Sequence, residues 1–249
     1  MIATREEIAD RYESVRAQIA ESAARADRDP DEITLVAVTK TFPADVIVAA
    51  YELGMRHFGE NRAYELEEKR AVVEERLGKD SGIVWHLVGP LQSRKTTVAA
   101  DTADFFHALD RQKIARRLSN RLQETGKTLP VLLEVNVSGE ESKHGFQASA
   151  WEEDEVQQQR LCEIAESVSG RPGLELKGLM TMAPWQVEDA VIERVFRRTQ
   201  ALAQWLRKEA PQAEWSVLSM GMTDDFELAI QNGATHLRIG RAIFGSRPQ

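Results

Sequence analysis

Eight short runs of apolar and β-branched residues recur along the chain, separated by longer polar stretches. They are ITLVAVTK (33–40), RHFGE (56–60), IVWHLVG (83–89), DFFHALD (104–110), PVLLEVNV (130–137), LKGLMTM (176–182), WSVLSMG (215–221) and HLRIG (236–240). Several are apolar almost throughout, as strands are when both faces of a parallel sheet are covered. Between them the period changes. Ile114, Leu118 and Leu122 fall four apart, as do Val191 and Val195, and Leu202 and Leu206 continue that stripe. This spacing predicts amphipathic helices. One more helix precedes the first run, with Ile8, Tyr12, Val15 and Ile19 on one face.

Strands alternating with helices predict a parallel sheet with right-handed crossovers. Eight strands in 249 residues favour an α/β fold of the (β/α)8 type, a closed barrel. An open doubly wound sheet is the alternative. No linker or composition break divides the chain. The expectation is one domain over 1–249, with a leading helix in 1–28 and the barrel in 33–247.

Charge and composition narrow the partners. Forty acidic residues against 32 basic ones give a net charge of −8, which repels phosphate backbones and anionic lipid. Nucleic acid and membrane surfaces are therefore not expected partners. No apolar run approaches the roughly 20 residues of a membrane span, and the N-terminus lacks a signal-peptide core. The lone Cys162 excludes an intrachain disulfide. A cytoplasmic monomer is expected.

Active sites of such barrels lie at the C-terminal strand ends. Lys40 closes the first run. Burial there would lower its pKa and free a nucleophilic amine. It can equally be the first exposed residue after the strand. Asn61 follows the second run. Phosphate sites commonly use the loops after the last two strands, which here read SMGMTDD and RIGRAIFG. Ser219 offers a hydroxyl, and Gly221 and Gly240 let backbone amides approach a ligand. A helix starting near Thr223 or Asp224 would add its amides. Arg238 points to the same mouth, where it either faces a ligand or pairs with a strand-end carboxylate. The five histidines have no metal-ligand spacing. The polar loop 138–147 (SGEESKHGFQ) is either a lid or partner-contact element, with Lys143 aiding transfer of a ligand or weakly holding a second one, or simply a disordered solvated loop.

Six segments in register, LVAVTK, FGEN, WHLVGPLQSRK, GLMTM, SMGMTDD and RIGRAIFG, closely resemble the YggS/PROSC family of pyridoxal 5′-phosphate (PLP) homeostasis proteins. The resemblance spans residues 5–247. It implies an alanine-racemase-type barrel without the racemase's second, C-terminal domain. It also implies PLP bound as a Schiff base on Lys40 and Asn61 beside the cofactor. By the same resemblance Ser219, Gly240 and the Arg241 backbone hold the phosphate, Arg238 faces the pyridine nitrogen, and Met222 lies in the phosphate loop. The function implied is buffering PLP and delivering it to PLP-requiring apo-enzymes without efficient catalysis. The alternatives are a racemase-like enzyme and a barrel that binds another phosphorylated metabolite. Four positions depart from the family pattern: Arg94, Thr223, Tyr64 and Arg241 stand where asparagine, serine, glutamine and threonine are usual.

Overall fold

The computed structural model describes residues 3–246. The outermost residues of the expected domain, 1–2 and 247–249, lie outside the described residues. The leading helix α1 (Arg5–Arg25) begins at a reciprocal cap: Thr4 Oγ1 accepts from the Glu7 amide at 3.2 Å, and Glu7 Oε2 accepts from the Thr4 amide at 2.8 Å. Such a pair satisfies two of the donors a helix start leaves open. Ile8, Val15 and Ile19 form its buried face.

Each of the eight apolar runs supplies one strand. These are β1 (Thr34–Val38), β2 (His57–Glu60), β3 (Val84–Leu87), β4 (Phe105–Leu109), β5 (Leu129–Asn136), β7 (Leu174–Met180), β8 (Val217–Ser219) and β9 (His236–Ile239). The intervening helices are α2 (Ala44–Glu52), α3 (Ala63–Leu77), α4 (Thr96–Thr102), α5 (Gln112–Thr125), α6 (Glu155–Ser169), α7 (Asp189–Glu209) and α8 (Phe226–Gln231), and α9 (Arg241–Phe244) follows β9. All pairings are parallel, and β1 pairs with both β2 and β9 while β4 pairs with β5. The eight strands thus close into a barrel. A ninth strand, β6 (Phe146–Gln147), was not expected. It pairs with the end of β5 inside the polar loop 138–147.

The main core lies between barrel and helices, where Phe58, Trp85, Phe106, Leu133 and Phe196 are fully buried. Barrel interiors are ordinarily filled by branched apolar side chains. Here Val36, Val38 and Val88 form only a small separate cluster, and buried polar groups occupy much of the rest: His86, His107, Glu134, Ser219 and Arg238. Among the described residues no helix is long and apolar enough to cross a membrane.

Candidate functional site

A cavity of about 620 Å³ opens at the C-terminal ends of the strands. Its wall includes Lys40, Asn61, Met222, Arg238, Gly240 and Arg241 of the residues singled out by sequence, together with Glu134, His144 and Thr223.

Lys40 lies two residues past β1, and its backbone is held from behind by a buried charge cluster. Lys69 of α3 donates to the Thr39 carbonyl, to Glu60 Oε1 and to Glu65 Oε1, each at 2.8 Å. Glu60 Oε1 also accepts from the Thr39 hydroxyl at 2.6 Å, and Glu65 accepts from the Thr41 amide. Thr41 has φ +70°, a conformation that a β-branched residue adopts only when its surroundings impose it. Every residue flanking Lys40 is therefore tied to this cluster. Burial, against the pull of Lys69, pushes the Glu60 carboxyl up to about 7. Burial also opposes ionisation of Glu65, but hydrogen bonds from Lys69 and the Thr41 amide bring it below its ordinary value.

Arg238 projects inward from β9 and is 6% exposed. Its Nη1 donates to Ser219 Oγ at 2.6 Å and its Nη2 to the Thr181 carbonyl at 2.9 Å. Among the described residues these hydrogen-bond partners are neutral. Burial lowers its pKa to about 10, while Asp225 and Glu134 act on it only through space, in the opposite direction.

Two residues sit elsewhere than expected. Ser219 is fully buried beneath Arg238 and is absent from the cavity wall, because Arg238 and His107 engage its hydroxyl. Gly221, with φ +95°, turns the chain after β8, where a Cβ would come within 2.7 Å of Ala229 Cβ. The residues of this loop that reach the wall are Met222, Thr223 and Asp224. Thr223 Oγ1 accepts from the Ala242 amide at 3.3 Å, joining the loop to the first turn of α9. Gly240 allows this junction, since a Cβ there would lie 2.7 Å from the Val38 carbonyl oxygen. The helix expected near Thr223 begins at Phe226. Arg241 turns outward into an exposed ion pair with Asp224.

Glu134 escaped the sequence reading. It is 3% exposed on β5 and lines the cavity, and its Oε2 has no hydrogen-bond partner. Burial and then the like charge of Asp110 push it up to about 7, against the weaker pull of Arg238 and Arg111. The available signal was one charged residue inside an otherwise apolar strand. The polar loop 138–147 is anchored by Asn136, whose Oδ1 accepts from Ser138 Oγ and the Gly139 amide and whose Nδ2 donates to the Glu140 carbonyl. Lys143 is bound to the Met182 carbonyl and to Glu140.

The family model of the alanine racemase N-terminal domain matches residues 11–248, which defines the class of barrel. Within that class the chain belongs to the pyridoxal phosphate homeostasis protein family. It is 39% identical to the Escherichia coli K12 protein of that name, over 97% of each chain. It is 40% identical to the Pseudomonas aeruginosa protein, over 96% of each. PipY of Synechococcus elongatus PCC7942, solved with PLP bound, matches with a TM-score of 0.79 at 32% identity, covering 96% of this chain and all of that one. An alanine racemase of Clostridium difficile shares the fold with a TM-score of 0.65 at 12% identity, and the match covers 57% of its length.

Proposed function

We propose that the chain carries PLP as a Schiff base on Lys40 and buffers or delivers it to PLP-requiring apo-enzymes, without efficient catalysis. The observation that carries this reading is a primary amine on the same cavity wall as a buried guanidinium, which donates among the described residues to a hydroxyl and a backbone carbonyl. The residues fit the cofactor: an amine for the aldehyde, a cation for the ring nitrogen, and a hydroxyl with close-packed backbone for the phosphate. PLP supplies a carbonyl that condenses reversibly with amines.

Each part of the chain has a task in this reading. The Lys69–Glu60–Glu65 cluster fixes the backbone from which Lys40 reaches into the cavity. Arg238, which only donates hydrogen bonds, keeps the ring nitrogen unprotonated. Thr223, Met222, Gly240 and the Arg241 backbone hold the phosphate. Ser219 acts one layer below, through Arg238, and Gly221 shapes the turn. Asn61 orients the ring from the β2 end. The relatives' names, which describe homeostasis rather than a reaction, support a carrier. We further place it as a cytoplasmic monomer with a single cofactor domain.

Borohydride reduction followed by intact mass measurement and peptide mapping tests the reading. The expected result is one PLP adduct, on Lys40 and abolished by Lys40→Ala. An adduct mainly on Lys95 or Lys143 would overturn it.

A further inference from the structure

Four side chains inside the barrel, none of them on the cavity wall, form an unbroken file behind Arg238. Strand register builds it. His57 opens β2 and is half-buried. His86 on β3 stands level with Gly59, two residues further along β2, and His107 lies two residues beyond the level of His86, which pairs with Phe105. Two-residue steps keep each side chain on the inner face. The imidazoles therefore climb the interior strand by strand. His57 Nδ1 is 3.0 Å from His86 Nε2, and His86 Nδ1 is 2.8 Å from His107 Nε2. His107 Nδ1 is 2.8 Å from Ser219 Oγ, which is 2.6 Å from Arg238 Nη1.

The chemistry of the end group sets the direction of every bond. A guanidinium only donates, so Ser219 must accept from Arg238. Among the described residues the Ser219 hydroxyl has one acceptor for its own proton, His107 Nδ1. His107 then carries its proton on Nε2 and donates to His86 Nδ1. His86 in turn donates from Nε2 to His57 Nδ1. The opposite direction would strand the serine proton in a fully buried site, a cost of about 1–3 kcal/mol. Neutral rings are what such a file requires, and burial holds His86 and His107 well below the usual imidazole range. His236 stands beside the file, with ring centroids 6.2 Å from His86 and 6.0 Å from His107, and pairs with the Thr235 hydroxyl instead.

We propose that His57, His86, His107 and Ser219 form a one-way hydrogen-bond relay that positions Arg238 and fixes the tautomer of every ring down to the far end of the barrel. The three histidines are positioning residues. Their aligned dipoles turn lone pairs toward the guanidinium and take the place of a contacting carboxylate. The charge of Arg238 is thereby left for a ligand. The consequence for cofactor binding rests on the reading that Arg238 faces the ring nitrogen, whereas the relay itself does not.

The test uses the full chain labelled with 15N-histidine, free of cofactor, in two-bond proton–nitrogen spectra. Wild type is expected to show His57, His86 and His107 protonated on Nε2 alone. Ser219→Ala removes the group that sets the direction, so all three rings should populate both tautomers. That includes His57, which does not touch residue 219. Ser219→Thr should restore the single form. His57→Phe, at the half-buried end, should leave His86 and His107 unchanged. A wild-type ring protonated on Nδ1, or a tautomer change at His107 in His57→Phe, would overturn the relay. Ser219→Ala should also weaken PLP binding by about 10- to 100-fold, the worth of one charge-assisted hydrogen bond. Unchanged PLP affinity beside scrambled tautomers would overturn the positioning role. Absence of any PLP adduct in wild type would instead sink the carrier reading and leave the relay standing.

Discussion

Replacing Glu134 by glutamine isolates a buried carboxyl on the cavity wall, one oxygen of which has no hydrogen-bond partner. Its pKa rises from 4.5 to about 7 on folding, chiefly through burial and then through Asp110. Between those values the folded protein binds more protons than the unfolded chain, so this group's contribution to stability falls as pH rises. The contribution is fully present below about pH 4.5 and is lost as pH passes 7. At 1.36 kcal/mol per pKa unit the loss is roughly 3 kcal/mol. The side-chain amide of the Glu134→Gln variant cannot ionise, so the variant lacks this decline. Glu60, also raised to about 7, is present in both proteins and cancels in the comparison. Any cost of a poorly paired amide is independent of pH and cancels between two pH values. The measurement is urea or thermal unfolding of both apo-proteins at pH 5 and pH 8. Because part of the loss has already occurred by pH 5, the variant should gain roughly 2.5 kcal/mol at pH 8 relative to its standing at pH 5. That corresponds to about 5–10 °C in Tm for a chain of this size. A difference that does not change with pH, or one that favours wild type at pH 8, would show that Arg238 and Arg111 keep Glu134 ionised and would refute the reasoning.

Three other outcomes are open to measurement. Thr223→Ala should weaken PLP binding by about 10- to 100-fold in a fluorescence titration and leave pyridoxal nearly unaffected; equal losses for the two vitamers would place the phosphate elsewhere. Lys69→Met removes the cation between Glu60 and Glu65 and should destabilise the protein by about 3–5 kcal/mol and slow trapping on Lys40, with Lys69→Arg recovering part of both, whereas unchanged trapping kinetics would separate the cluster from the lysine. L- or D-alanine should not exchange its Cα hydrogen for deuterium at the roughly 1–10³ s⁻¹ of ordinary enzymes, and exchange in that range would make the protein a racemase-like enzyme.

The barrel was legible because its evidence is periodic. Runs such as LVAV and VLLEV alternate with four-residue helical stripes, and even the short RHFGE yields β2, because the pairings on its two sides stabilise it. β6 was not legible. Phe146 and Gln147 have no strand pattern, and they pair with β5 after a loop that Asn136 holds at the Glu140 carbonyl. At the site, Lys40, Asn61, Met222, Arg238, Gly240 and Arg241 meet on one wall. Their positions follow from strand ends, which sequence marks well. Ser219 illustrates the limit. Residues two apart on a strand share a face, so sequence cannot tell a residue at the mouth from one a layer deeper. That difference leaves Met222, Thr223 and Asp224, and not Ser219, on the wall. The histidines were passed over for a similar reason. Metal spacing is a local signal, whereas His57, His86 and His107 meet through barrel stagger across three strands.

Arg238 and Glu134 together explain why a site of this kind is costly without its ligand. Each is almost fully buried, and among the contacts of the described residues Arg238 bonds a hydroxyl and a carbonyl while Glu134 Oε2 has no hydrogen-bond partner. They attract through space, yet not closely enough to form an ion pair, and both line the cavity. Had they been in contact, the barrel interior would be more self-sufficient and its affinity for a polar ring correspondingly lower. Holding them apart leaves the folded protein with unmet electrostatic demand that a bound ligand can satisfy. Binding then raises stability by mass action. A carrier gains from this arrangement more than an enzyme does. The arrangement favours capture and retention of the cofactor itself and requires no group that favours one transition state over its ground state.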